Sequence, residues 1–257
     1  MTHDNTPRTF FLSPHPDDAV LSCGGWIDQL AVPGAQPYIL TLFDGDPLIN
    51  APLSPFAQQL HARWQLGDDA PAARREEDQQ AGLRLAAEVV PLMLPEAIYR
   101  TNQHGQHLYA SEEAIFGEVH DPVWITLAAE LIRTFVTALS AGSPARLVAP
   151  LTAGHHVDHQ MSRLAAERLP FDLVYYEDYP YAEAPDRLSY VWGSNDWVSE
   201  TIELSESALS AKIDAFLQYR SQISTFYRDD GEAARRLRAY AERVGSGQPA
   251  ERYWRKS

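Results

Sequence analysis

Five short apolar runs, Thr9–Leu12, Tyr38–Phe43, Val89–Leu94, Arg146–Pro150 and Asp172–Tyr176, are separated by stretches of helical period. "RREEDQQAGLRLAAEVV" puts Ala81, Leu85 and Ala86 on one face and charges on the other. "DPVWITLAAELIRTFVTALSAG" opens on Asp121-Pro122, a helix-start signal, and stops at Gly142. Strands alternating with helices of this length predict an α/β fold. It has a Rossmann-like, mostly parallel sheet with helices on both faces, in a single domain spanning residues 1–257. Two stretches without clear period, 48–71 and 102–118, read as surface insertions, the first a candidate lid. The tail after Leu204 reads as helical, with Ala208, Ile213, Phe216 and Leu217 at helical spacing.

Open parallel sheets bind ligands at the carboxyl ends of their strands. The first run ends in "SPHPDD", the second in "FDGDP", and the fourth in "PLTAGHHVDH". These polar loops are therefore expected on one edge of the sheet.

Adjacent carboxylates such as Asp17 and Asp18 repel, so they need a compensating charge or exposure to water. His15 and Asp18 lie three apart in a tight turn, and His156 and His159 repeat that spacing in a second loop. Two imidazoles and a carboxylate suit zinc and leave one position open for water, the mark of a catalytic site. A cation would hold one member of the Asp pair and leave the other free as a general base. Each piece also has a plainer reading. His15–Asp18 can be an exposed acidic turn or a cap for the helix starting near Val20, and His155, His156 and His159 a solvated cluster. Placement of both motifs at strand ends favours the metal.

Asp and Glu number 35 against 21 Lys and Arg, a net charge of −14. Such a field repels phosphates and disfavours nucleic acid or an anionic membrane as partner. Cys23 is the single cysteine, which excludes an internal disulfide and a thiolate metal cluster and reads as a small buried residue. "MTHDNTPR" lacks the pattern of a signal peptide, and no apolar stretch approaches the roughly 20 residues of a membrane span. The expectation is a soluble cytoplasmic protein without membrane insertion; a homo-oligomer is compatible with the sequence.

"SPHPDDAVLSCGG" together with "GHHVDH" resembles the LmbE/PIG-L family of zinc-dependent N-acetylglucosaminyl de-N-acetylases. "TLFDGDP", "RREEDQQA" (Arg74, Glu77 and Ala81), "YYEDYPYA" and "YRSQ" extend the resemblance over nearly the whole chain. It implies His15, Asp18 and His159 as zinc ligands, with Fe2+ or Mn2+ as other occupants. It implies Asp17 as general base and His156 as the group that stabilises the oxyanion and as a candidate to protonate the leaving amine. Asp158 would hydrogen-bond an active-site imidazole, His156 in the first instance, and keep it protonated. Arg74 falls near the family's substrate-side basic group, or is a solvated helix charge. Asp44 would bind sugar hydroxyls, or cap a strand end. The implied activity is hydrolysis of an N-acetylated amino sugar or its conjugate, a small-molecule substrate. An amidase acting on a thiol–sugar conjugate and a non-catalytic sugar-binding member are the alternatives.

The family's commonest motif, H-P-D-D-E, has Ala19 in place of Glu here, which removes no ligand or base. His155 lies outside the H-x-D-H spacing and reads as a rim residue. Gly24-Gly25 are expected to let the first helix pack closely on its strand. Tyr175, Tyr176, Tyr179 and Tyr181 read as core, with one or two available to stack on a sugar; Trp192 and Trp197 are undecided.

Overall fold

The computed structural model describes residues 7–32, 35–47, 52–188 and 196–257. Leu48–Ala51 of the first insertion and Trp192 lie outside the described residues. Its sheet has seven strands: β1 (Arg8–Ser13), β2 (Tyr38–Thr41), β3 (Glu88–Pro91), β4 (Ala145–Pro150), β5 (Asp172–Tyr176), β6 (Trp197–Glu203) and β7 (Ala250–Lys256). Their order is β3-β2-β1-β4-β5-β7-β6. The first five pair in parallel, and β7 runs antiparallel to both β5 and β6.

Alternation along β1 sends Phe10 and Leu12 to one face and Phe11 to the other, and all three are fully buried. Helices α5 (Val123–Ser140) and α6 (Val157–Ala166) cover the Phe10 face. α5 is long and apolar enough to span a membrane by length and composition. Its Ile125, Ala128, Ala129, Ile132 and Val136 instead form a stripe buried in the core, as an amphipathic core helix requires. On the Phe11 face lie α1 (Asp18–Leu30), α3 (Ala70–Arg84), α7 (Glu206–Phe216), α8 (Arg220–Phe226) and α9 (Asp230–Val244).

Several expectations change here. The tail is not wholly helical, because β7 closes it. Glu251 on β7 is buried in an ion pair with Lys212, so no polar–apolar alternation betrays the strand. On α3 the inward face carries Arg74 and Asp78 beside Ala81, while Ala86 is exposed past the helix end. Gly24 admits α7, and Gly25 admits Leu204 just ahead of it, rather than the strand. A Cβ on Gly24 would lie 2.8 Å from Lys212 Cγ, and one on Gly25 2.4 Å from Leu204 Cδ1.

The 48–71 and 102–118 stretches contribute α2 (Pro55–Arg63) and the short α4 (Glu112–Ile115). They share a small core in which Leu60, Trp64, Tyr109 and Ile115 pack against Ile98 and Val157. Both sit at the carboxyl edge of the sheet. Strand order reverses there between β1 and β4, the crevice where such folds take ligands.

Candidate active site

β1 ends in a turn fixed from several sides. Ser13 Oγ donates to the His15 carbonyl at 2.6 Å and accepts the Ala19 N–H at 3.0 Å. The N–H groups of Leu42 and Phe43 bind the carbonyls of Ser13 and Pro14 at 2.8 and 2.9 Å, fastening the turn to β2. Asp17 sits at φ 114°, a backbone region hostile to a side chain and worth about 1–3 kcal/mol of strain. It occupies the N-cap position of α1, yet its side chain makes no cap bond. The carboxylate is thereby kept for the cavity it lines.

The second loop, after β4, is strained in the same sense at Thr152 (φ 73°) and His155 (φ 61°). His156 caps α6, its Nδ1 accepting the Asp158 N–H at 3.2 Å. A ring nitrogen that accepts carries no proton, so the neutral tautomer bears its hydrogen on Nε2. Burial, then the charges of His15 and His159, push this imidazole well below its ordinary value. His155 is exposed, and its carbonyl takes Gln160 Nε2 at 2.7 Å.

The two loops meet at Asp18. Its Oδ2 lies 3.1 Å from His15 Nδ1 and 3.2 Å from His159 Nε2. Donors about 2.0–2.1 Å from a tetrahedral ion stand roughly 3.3 Å apart, so both spacings at Asp18 match those of donors sharing one small divalent cation. The buried imidazoles of His15, His156 and His159 also offer nitrogens within 4.8 Å of one another. The trio of His15, Asp18 and His159 has contacts of 3.1 and 3.2 Å at Asp18 Oδ2 and leaves His156 as helix cap.

Each of its imidazoles has a carboxylate on the far nitrogen. His15 Nε2 lies 2.9 Å from Asp158 Oδ2, and His159 Nδ1 lies 2.6 Å from Asp178 Oδ1. This is the outer support metal-binding histidines use to fix tautomer and ring orientation. It corrects the expected partner of Asp158. In an α6 that begins at Val157, the carboxylate bonds His15, and it is the backbone N–H of Asp158 that bonds His156.

The electrostatics follow the geometry. Burial, then the adjacent Asp18 charge, pushes Asp17 well above the usual carboxylate range. Against burial, His159 and His15 hold Asp18 well below it. Burial likewise opposes charge on His159, but Asp18 and Asp178 raise it to about 9.

A cavity of about 230 Å³ opens over this cluster, and Asp17, Asp18, His15, His156 and Tyr181 line it. Arg74, from α3, reaches the wall and is 5% exposed. Its NH1 donates to Glu96 at 2.7 Å, its guanidinium lies 4.5 Å over the Trp64 ring, and its Nε has no hydrogen-bond partner among the described residues. α2 supplies Phe56, Leu60 and Arg63, and Glu112, Ile115 and Phe116 come from the 102–118 stretch.

Asp44 is not in that wall. Its Oδ1 takes the Met93 N–H at 2.8 Å, so it caps the strand ends, and burial raises its carboxyl to about 7. Glu77 binds the N–H and hydroxyl of Ser221 at 2.8 and 2.5 Å, pinning α8, whose Gln222, Thr225 and Phe226 close the cavity. The sequence reading missed Asp178, Glu96 and Arg100. Asp178 carried a signal, a carboxylate just past β5; the other two lie far from any motif.

The N-terminal part of the chain, residues 10–169, matches the model of the GlcNAc-PI de-N-acetylase (PIG-L) family. The chain belongs to this family. It is 29% identical over 238 residues to a 2'-N-acetylparomamine deacetylase of Niallia circulans, covering 86% of this chain and 83% of the relative. A 2'-N-acetylparomamine deacetylase of Streptomyces fradiae is 33% identical over 187 residues, with 70% and 59% covered. A solved teicoplanin deacetylase in its zinc-inhibited form superposes with a TM-score of 0.80 at 27% identity, covering 97% and 98%. A deacetylase–teicoplanin complex gives 0.76 at 26% identity, covering 96% of both chains. This family member is thus a metal-dependent de-N-acetylase of N-acetylated amino sugars, a hydrolase acting on an amide bond.

Proposed function

We propose that His15, Asp18 and His159 hold zinc, that Asp17 is the general base, and that the substrate is a small N-acetylated amino-sugar conjugate. The observation that carries this reading is the contact of Asp18 Oδ2 with one imidazole from each loop, at 3.1 and 3.2 Å, beside a cavity-lining Asp17 with no hydrogen bond to its carboxylate among the described residues. Zinc bound there supplies Lewis acidity and lowers the pKa of water towards about 7.

Asp17 takes a proton from the attacking water. Lining the cavity, its carboxylate can accept that proton and pass it to the leaving amine. His156, neutral with its hydrogen on Nε2, donates to the oxygen that gains charge as water adds to the acetyl carbon. The C–N bond then breaks to give acetate and the free amine. Arg74 and Glu96 are polar groups suited to the sugar, and the apolar side chains of α2 and α4 to its aglycone. Relatives named for 2'-N-acetylparomamine and teicoplanin support an acetylated sugar-containing substrate.

Asp17→Asn tests the assignment. Metal content is expected to stay at the parental level while kcat for acetate release falls about 10²–10⁴-fold. A kcat near the parental value with metal bound refutes Asp17 as base.

A further inference from the structure

We infer that Arg100 is a positioning residue for the metal centre: it locks the Asp158 carboxylate that orients His15, and anchors it to the 102–118 insertion. This rests on the proposed ligand role of His15.

Asp158 has no solvent exposure, and its two oxygens are divided between tasks. Oδ2 takes His15 Nε2 at 2.9 Å and the Ala97 N–H at 2.9 Å; Oδ1 takes Arg100 NH2 at 2.6 Å. A carboxylate stripped of water needs a fixed counter-charge, and Arg100, 1% exposed, supplies it.

The guanidinium is itself held in plane and from behind. Its Cζ lies 5.2 Å from the Phe43 ring centre and 5.0 Å from that of Tyr109. Its Nε lies 3.0 Å from Asp121 Oδ2 without hydrogen-bond alignment, an ionic contact. Asp121 Oδ1 accepts the Tyr109 hydroxyl at 2.6 Å, and that hydroxyl accepts the His120 N–H at 2.9 Å. The planar fork meets two carboxylates through two different nitrogens, Nε and NH2, which a lysine ammonium cannot reproduce. The chain His15–Asp158–Arg100–Asp121–Tyr109 therefore joins a metal-side imidazole to the insertion that walls the cavity.

The test compares the full-length parent with Arg100→Met, Arg100→Lys and Asp121→Asn. Zinc affinity is read by competition with a chromogenic chelator, and the ligand field from the visible spectrum of the cobalt-loaded protein. Arg100→Met is expected to weaken zinc binding about 10–100-fold and to shift the cobalt spectrum. Arg100→Lys recovers only part of this. Asp121→Asn leaves the Arg100–Asp158 contact in place and weakens binding by about tenfold, the low end of that range. A folded Arg100→Met with parental affinity and spectrum overturns the inference. Should that variant not fold, an Asp121→Asn protein indistinguishable from the parent overturns it equally. A parent that takes up no metal overturns the ligand assignment as well, which separates the two failures.

Discussion

The Lys212–Glu251 pair offers a sharp test of how burial sets the worth of an ion pair. Lys212 Nζ lies 2.6 Å from Glu251 Oε1, and both residues are 4% exposed. The same carboxylate accepts the N–H groups of Gly25 and Trp26 at 3.0 Å and the Tyr253 hydroxyl at 2.7 Å. Lys212→Met keeps the aliphatic stem that packs on Gly24 and deletes only the charge. Removing one partner of a buried pair costs about 3–5 kcal/mol, because the other charge is left uncompensated. The two amides and the hydroxyl still solvate Glu251, which places the expectation near about 3 kcal/mol. For a chain of this size that is a fall in Tm of about 6–12 °C. Urea unfolding measures it as a lower midpoint at unchanged slope. The control is Arg220→Ala. Arg220 pairs with Asp230 at 2.8 Å, but the two side chains are 62% and 48% exposed, and the cost should lie within about 0–1 kcal/mol. A loss below about 1 kcal/mol for Lys212→Met, or one equal to the control, refutes the argument from burial.

Two further outcomes can be read in the same unfolding assay. Burial raises the carboxyl of Asp44 to about 7 in the fold against about 3.9 when unfolded, so its contribution to stability is full below the lower value and lost as pH rises through the higher one. Asp44→Asn keeps the acceptor for the Met93 N–H, so its stability relative to the parent should rise between pH 5 and pH 8; a difference independent of pH refutes this. Gly154→Ala would set a Cβ 2.5 Å from Tyr181 Cγ, an overpacking worth about 1–3 kcal/mol. Tyr181→Ala should relieve it, so the double variant loses less than the two single losses added, and strict additivity removes the steric explanation.

Much of the candidate site was legible in the chain because chemistry and topology repeat one another there. His15–Asp18 and His156–His159 follow runs that read as strands, and parallel strands deliver their following loops to one edge. Arg100 and Glu96 gave no such signal, since each acquires meaning only from a carboxylate or guanidinium distant in sequence. β7 was hidden for a related reason: an interior Glu251 breaks the alternation that marks a strand, and only its pairing with Lys212 makes that burial tolerable.

The sequence alone determined the parallel α/β layering, through apolar runs too short for helices and helical stretches between them, and it determined the donor types that can grip a cation. Tertiary structure decided the pairing of those donors. Whether Asp158 faces His156 or His15 depends on the direction in which α6 leaves its cap, and whether Asp44 meets solvent, substrate or the Met93 amide depends on the neighbouring strand end. Local periodicity constrains the residues one element presents; which groups then meet is set by the packing of elements far apart in the chain, and hydrogen-bond partners reverse over a few ångströms.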